Sequence, residues 1–383
     1  MEVSVILPCL NESRTVAVCV RKALQALRDA EAVGEVVVID NGSSDNSVAL
    51  AGEAGARVVF EETKGYGSAL RRGIREARGA FVIMADADDT YDLLQIGKFI
   101  ELYRGGADFV MGNRFGGKIY PNAMPHLHRW FGTPVLSFIL RLFFKSPVTD
   151  VNCGMRGFRK DAIEKLNLRC AGMEFASEMM IKASMEKLAI RQTPVDLHPG
   201  PPDRKPHLRS FRDGWRHLRV MLALCPKYLF VYPGMLLSLM GFALLILAHV
   251  REVKVLGMPM GLSSAAFASA LFFMGIQISF FGVYSMILNN ANGILKDDAI
   301  TLFFKNRFTL ERGLLAGASV LAAGILMGAV TLLLITVYAH NLNYVNIPLA
   351  RLAILSIFVV LIGIQLIFSS FFISLFNLRA MLK

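Results

Sequence analysis

The chain has 383 residues, room for two or three domains, with 54% hydrophobic residues and a net charge of +11 from 41 Lys plus Arg against 30 Asp plus Glu. Most charge lies before about residue 220 and long apolar runs follow, so the basic excess points to membrane lipid or a phosphate-bearing substrate rather than nucleic acid. Five cysteines, Cys9, Cys19, Cys153, Cys170 and Cys225, are odd in number and show no CxxC spacing, which suits thiols of a reducing cytosol better than disulfides.

Val3 to Leu7 reads as a first strand, with no charged-then-apolar leader before it, so no cleaved secretory signal is expected. Asn11 then offers an N-cap for a helix through about Asp29. Val36 to Ile39 is a second strand, ending on the turn formers Asp40-Asn41-Gly42-Ser43-Ser44-Asp45 before a helix near Asn46 to Ala54. Arg57 to Phe60 is a short third strand, and Lys64-Gly65-Tyr66-Gly67-Ser68 opens a helix to about Ala77. Phe81 to Ala85 reads as a buried fourth strand that stops on Asp86, Asp88 and Asp89. A helix from Leu93 to Arg104 and a fifth strand from Asp108 to Met111, ending at Gly112-Asn113-Arg114, complete the series. Strands alternating with helices at this spacing indicate a mainly parallel, doubly wound α/β sheet.

The carboxylate cluster is the most informative stretch. An unpaired buried carboxylate is costly, so three together belong at an exposed strand end. In an open α/β sheet that end faces the ligand crevice. Alternation puts Asp86 and Asp88 on one side of the chain, where two hard oxygen donors suit Mg2+ or Mn2+ with a diphosphate completing the shell. An acidic turn capping the next helix is the competing reading. A dinucleotide oxidoreductase needs GxGxxG after the first strand, where this chain has Pro8-Cys9-Leu10-Asn11-Glu12, and no Walker GxxxxGK[ST] is present.

Leu7-Pro8-Cys9-Leu10-Asn11-Glu12, Val38-Ile39-Asp40-Asn41-Gly42-Ser43-Ser44-Asp45, Gly65-Tyr66-Gly67, Asp86-Ala87-Asp88, Gly112-Asn113-Arg114-Phe115 and Cys153-Gly154-Met155-Arg156-Gly157-Phe158 follow in order. Together they resemble a family 2 glycosyltransferase of GT-A fold, in the branch of dolichol-phosphate mannose synthases and polyprenyl-phosphate glucosyltransferases. The resemblance spans about residues 1 to 220. It implies that Pro8, Leu10, Glu12, Asp40 and Asn41 meet the nucleotide, and that Asp86 and Asp88 hold the metal bridging the donor diphosphate. It also implies a catalytic role for Arg114, which ends the family's Gly-Ser-Arg block. Two positions depart from the pattern: Asn113 replaces Ser, and Thr90, preceded by Asp89, stands where many relatives place Gln.

Further on, Phe131, Val135, Leu136, Phe138, Ile139, Leu140, Leu142, Phe143 and Phe144 crowd one helix length, with Arg129, Arg141 and Lys145 around them. A core helix and a helix lying on lipid headgroups both fit, and the basic flanks favour the second. His126-Leu127-His128-Arg129-Trp130 is similar at its end to the QxxRW of processive polysaccharide synthases. It starts with His and lies too near Arg114 for that role, which leaves Arg129 a candidate for a lipid phosphate. Glu178 opens a helix, either as a base at the acceptor or as a carboxylate favoured by the helix dipole. After a proline-rich run, Arg209, Arg212, Arg216 and Arg219 recur at helical spacing with Phe211 and Trp215 among them. The position resembles the family's Arg-x-Gly-x-Ser-Lys loop, which implies that Arg204 and Arg209 bind diphosphate or lipid-phosphate oxygens.

Four stretches, about 228–250, 262–288, 314–338 and 352–378, lack Asp, Glu, Lys and Arg and exceed the ~20 residues a bilayer needs. Lys296, Lys305, Arg307 and Arg312 lie between the second and third, and Arg379 and Lys383 follow the fourth, while Arg251 and Lys254 are a mild counter-signal. The positive-inside rule then puts the catalytic domain and the C-terminus in the cytoplasm. The expected organisation is a GT-A domain over 1–198, a basic juxtamembrane loop and amphipathic helix over 199–227, and a four-helix transmembrane domain over 228–383. The expected activity is inverting transfer of a hexose from a nucleotide diphosphate sugar to a polyprenyl (undecaprenyl or dolichyl) monophosphate, with Mg2+ or Mn2+. Transfer to diacylglycerol or a polysaccharide is an alternative, as is an inactive nucleotide-sugar-binding scaffold. Dimers and tetramers both suit such a membrane-anchored chain.

Overall fold

The computed structural model describes residues 1–201, 210–249, 254–255, 258–259, 261–339 and 347–381. They form two compact units, Met1–Ala223 and Leu224–Lys383.

The first unit is built on a seven-stranded sheet. Strands β1 (Val3–Cys9), β2 (Gly34–Asp40), β3 (Arg57–Phe60) and β4 (Phe81–Met84) pair in parallel in the order β3-β2-β1-β4. Helices α1 (Val16–Asp29), α2 (Ser47–Glu53) and α3 (Tyr66–Glu76) connect them, and α4 (Ile96–Arg104) leads to β5 (Phe109–Asn113). Val36, Val37, Val38 and Ile39 of β2 and all four residues of β4 are buried, as continuous apolar strands covered on both faces must be.

Helix α1 starts later than expected from Asn11. That residue takes a left-handed φ of +58°, and its side-chain oxygen accepts from Ser44 N at 2.8 Å instead of capping the helix. Two strands are not apparent in the sequence. β6 (Arg156–Arg159) runs antiparallel between β4 and β5, and β7 (Ile190–Pro194) pairs in parallel with β5. The Arg-Gly-Phe-Arg run of β6 has no apolar alternation. Its Gly157 is needed because a Cβ there would meet the Phe81 ring at 2.5 Å.

A π-helical turn, His128–Gly132, leads into α5 (Thr133–Phe144). Leu136, Leu140 and Phe144 face inward, while Trp130 (73% exposed), Phe131 (64%), Phe138 (55%) and Leu142 (53%) form an outward apolar stripe. The segment is therefore a core helix on one face and has the composition of an interfacial helix on the other. Next come α6 (Lys160–Glu164), α7 (Phe175–Met185) and α8 (Ser210–Ala223), the last packed on α5 and α7. Helix α8 turns Asp213, His217 and Met221 inward at helical spacing and Arg212, Trp215 and Arg216 outward.

His217 Nδ1 and Ser177 Oγ share a 2.7 Å hydrogen bond that fastens α8 to α7. Burial first, and then the Arg156 charge, push the imidazole from 6.5 down to about 4, against the pull of Asp213 and Glu174. A His whose folded pKa lies below its unfolded one costs stability once the unfolded chain takes the proton. Docking of α8 is therefore expected to be at full strength above pH 6.5 and to weaken as pH falls toward about 4. Amide exchange of α8, corrected for intrinsic rates, should accelerate across that window, and His217→Gln should remove the dependence. Constant protection of α8 from pH 6.5 to about 4 would contradict it.

Among its described residues the second unit holds four helices long and apolar enough to cross a membrane: α9 (Tyr232–His249, spanning from Lys227), α10 (Leu262–Ala291), α12 (Leu310–Ala339) and α13 (Ile347–Met381). A short helix, α11 (Ala299–Asn306), lies between the second and third of these in the chain. Gly234, Gly241 and Gly275 bring the α9 and α10 backbones together, and Gly317, Gly324 and Gly363 do the same for α12 and α13. Gln277 Nε2 donates to Gln365 Oε1 at 2.7 Å, and Tyr284 donates to Ser369 Oγ at 2.7 Å, so polar side chains join α10 to α13.

Candidate active site

β1, β2, β4 and β5 all end at one edge of the sheet, and the antiparallel β6 begins there, Met84 pairing with Arg156. Pro8 and Leu10, Asp40 and Asn41, Asp86 and Asp88, and Arg114 are thereby gathered along one rim. This is the crevice at the carboxyl ends of the strands where α/β sheets bind ligands.

Asp86 and Asp88 lie in the turn after β4. Asp86 Oδ1 accepts from the buried Tyr66 hydroxyl at 3.0 Å, and the Oδ2 side lies so close to Gly154 that a Cβ there would be 2.5 Å away. Burial, with the Asp86 charge second, raises Tyr66 well above its ordinary pKa, so it remains a neutral donor. Asp88 is 7% exposed, and its Oδ1 accepts from Thr90 N at 3.1 Å and Thr90 Oγ1 at 2.6 Å. Thr90, which departs from the expected Gln, thus orients the second aspartate. Among the described residues no three His, Cys, Asp or Glu side chains form a metal cage. Two oriented carboxylates at the strand-end rim fit a hard cation that draws its other ligands from substrate phosphates and water.

The expected nucleotide contacts form two groups. Pro8 and Leu10 are partly exposed at the end of β1, and Glu12 is buried with its backbone N–H on Ser47 Oγ at 2.8 Å. Asp40 accepts from Gly42 N and Ser43 N at 3.0–3.2 Å and shapes the turn after β2. The Asn41 side chain is used internally. Its amide donates to Glu61 O and Thr63 O, both at 2.9 Å, and its oxygen accepts from Gly65 N at 2.7 Å. Both amide hydrogens are taken, so this side chain latches the 61–65 loop rather than donating to a nucleotide.

Arg114 is held in a way its motif does not reveal. Its Nε and Nη2 form a bidentate pair with fully buried Asp150, both at 2.7 Å, and its backbone N–H reaches the same carboxylate at 3.0 Å. Tyr91 feels the charges of both Arg114 and Asp86 and accepts Gly154 N at 2.8 Å, linking the two halves of the rim. Burial first, then the Arg114 charge, lower the His128 pKa. The Arg129 guanidinium lies 5.5 Å from the Trp130 ring centroid. Arg156, 1% exposed, donates to Cys153 O, Ala176 O and Val151 O at 2.7–2.9 Å and folds the 151–154 loop that presents Gly154 to Asp86.

Glu178 has a different setting from the base expected of it. Its carboxylate accepts from Lys182 Nζ at 2.8 Å, Cys170 N at 2.8 Å and Arg169 N at 2.9–3.1 Å. Burial alone would raise its pKa, but Lys182 and the Cys170 amide outweigh that and hold it below the ordinary value. A carboxylate so saturated is a weak proton acceptor. It tethers the 167–170 loop to α7. Arg204 and Arg209 lie outside the described residues. The roles of Tyr66, Tyr91 and Asp150 are not legible in the sequence, because their partners Asp86, Gly154 and Arg114 are distant in the chain, and Arg156 acts through backbone carbonyls. The aromatic in Gly65-Tyr66-Gly67 and the acid before the Cys-Gly-Met-Arg motif were the available signals.

The chain matches the model of glycosyl transferase family 2 over residues 4–167 and that of the glycosyltransferase family 2 C-terminal transmembrane region over residues 283–377. It is 38% identical to the low-salt glycan biosynthesis hexosyltransferase Agl6 of Haloferax volcanii over 96% of this chain and 87% of that one. A dolichyl-phosphate hexose transferase of the same organism is 27% identical over 51% of this chain and 82% of its own length. Among solved structures, glucosyl-3-phosphoglycerate synthase of Mycobacterium tuberculosis, in complex with Mn2+, uridine diphosphate and glucosyl-3-phosphoglycerate, aligns with a TM-score of 0.47 at 21% identity, over 58% of this chain and 80% of that one. With its mainly parallel GT-A sheet, its carboxylate rim and its apolar C-terminal helices, the chain belongs to glycosyltransferase family 2 and is a membrane glycosyltransferase.

Proposed function

We propose that this enzyme transfers a hexose, with inversion, from a nucleoside diphosphate sugar to a polyprenyl monophosphate, undecaprenyl or dolichyl, at the cytoplasmic membrane face, in the making of a lipid-linked glycan. One observation carries the proposal: a rim of oriented carboxylates and a clasped arginine in a chain that continues into four bilayer-length helices. The relatives named for hexose transfer, one of them to dolichyl phosphate, support it. Lys296, Lys305, Arg307 and Arg312 between α10 and α12 support the cytoplasmic side. On this reading residues 199–227 are the basic bridge between catalytic and membrane domains.

A phosphate oxygen of the lipid forms the new bond to the anomeric carbon. The bond from that carbon to the diphosphate breaks, and the nucleoside diphosphate leaves with the electron pair. A phosphate monoester is mostly ionised at neutral pH, so no side chain has to remove a proton, in keeping with the saturated state of Glu178. Asp40 and the turn it shapes face the nucleotide, with Pro8, Leu10 and Glu12 alongside. Asp86 and Asp88 hold Mg2+ or Mn2+, which when bound takes up charge on the departing diphosphate. Arg114, with Arg129, Arg204 and Arg209, sets the two phosphate groups against their mutual repulsion. Ser68 Oγ and Glu174 Oε2 are buried without a hydrogen-bond partner, in segments joined where Gly67 packs on Gly172 and Phe175.

A panel of labelled UDP- and GDP-hexoses, offered with polyprenyl phosphate and with diacylglycerol, tests the proposal. The expected product is a polyprenyl phosphate hexose of inverted anomeric configuration. Transfer to diacylglycerol alone, or to neither lipid from any donor, would overturn it.

A further inference from the structure

The turn that presents Asp86 and Asp88 is anchored from α1 at two points, and the second has no part in the site as described so far. Thr15 Oγ1, just before α1, donates to Ala87 O at 2.8 Å. Two turns along the same helix, Lys22 Nζ reaches Asp89 Oδ1 at 2.8 Å. Asp89 sits in the left-handed region at φ +58°, a conformation most side chains resist and Asp or Asn tolerates. That one residue reverses the chain after Asp88, so Thr90 N and Oγ1 come back onto Asp88 Oδ1 and Thr90 O meets His198 N at 2.8 Å. A different φ at Asp89 would carry Thr90 away from Asp88.

We infer that Lys22 and Asp89 are a positioning pair for the metal carboxylates: the ion pair holds Asp89 left-handed, and that conformation sets the Asp88 carboxylate for the cation. Asp89 is thereby a tether to α1 and not a third ligand. This explains how an Asp-Thr sequence replaces the expected Gln without loss of order at the turn. The pair is only partly buried, with the two side chains 31% and 29% exposed, so its contribution to global stability is small and its effect is local. Residues that orient metal-binding side chains typically alter affinity by about 10- to 100-fold when removed.

The inference rests on the metal role proposed for Asp86 and Asp88, and one titration separates the two. Binding of UDP and of GDP to the full-length protein in nanodiscs is measured by calorimetry with and without Mn2+, for the wild type, Lys22→Met and Lys22→Arg. Lys22→Met is expected to weaken Mn2+-dependent nucleotide binding by about 10-fold. Its metal-free binding should be unchanged, and Lys22→Arg should retain wild-type behaviour. Asp89→Asn, which keeps the left-handed preference and loses the charge, should fall between Lys22→Met and the wild type. Equal Mn2+-dependent affinity in wild type and Lys22→Met overturns the positioning role while leaving the metal site intact. An equal loss with and without Mn2+ also overturns it, because it marks a general disturbance of the domain. If the wild type itself shows no Mn2+-dependent binding of either nucleotide, the metal reading fails and the inference falls with it.

Discussion

Asp88→Ala is expected to lower turnover by about 10³-fold, roughly 4 kcal/mol of transition-state stabilisation, with the protein still folded and inserted in the membrane. The carboxylate is 7% exposed, and its Thr90 contacts hold one orientation. On the proposed metal role, removing it costs an oriented ligand of the cation that would take up charge on the departing diphosphate, and a water cannot replace that orientation. Asp88→Asn keeps the shape and an acceptor but not the charge, so it should recover little of the rate. Single-turnover transfer from the donor found in the panel, together with Mn2+-dependent nucleotide binding, checks this. An inactive scaffold predicts no transfer from either protein, whereas wild-type transfer rates in Asp88→Ala would overturn the metal role of Asp88.

Asp150→Ala is expected to be the most destabilising single change in the catalytic unit. It strands the buried Arg114 guanidinium, whose Nε and Nη2 both bond Asp150 at 2.7 Å. Removing one partner of a buried ion pair typically costs about 3–5 kcal/mol. For a unit of this size that lowers the melting temperature by about 10 °C. Replacing both partners with apolar residues, Arg114→Met with Asp150→Leu, should restore much of the stability and none of the activity, because no charge is then left unpaired. Thermal unfolding of the full-length protein in detergent measures both variants. A shift below about 2 °C for Asp150→Ala would show that water reaches the guanidinium despite its burial.

These two aspartates differ in how visible they are. Asp88 belongs to a short pattern, an apolar strand ending on alternating carboxylates, whose cost of burial is legible from neighbouring residues alone. Asp150 acts on a residue 36 positions away, and nothing near it in the chain announces the partner. Side-chain partners also bear on two other expected site residues. The resemblance implies that Asn41 meets the nucleotide, yet its side-chain amide is consumed by Glu61, Thr63 and Gly65. Glu178 opens a helix as a base would, yet Lys182 and two backbone amides saturate it. Strand β6 carries no periodic apolar pattern, because Gly157 answers to the Phe81 ring and Arg156 to the carbonyls of Cys153, Ala176 and Val151.

The amino-acid sequence by itself determined the layout: the parallel core strands, the carboxylates at the end of β4, the division into a charged and an apolar part, and four helices of bilayer length. Each follows from burial cost and periodicity, which act on adjacent residues. Tertiary structure alone decided which polar groups face a ligand and which are spent inside the protein. A hydrogen-bonding group is available only if no other group has saturated it: the Asn41 amide is spent on the 61–65 loop, whereas Arg114, clasped by Asp150 through Nε and Nη2, keeps further N–H groups.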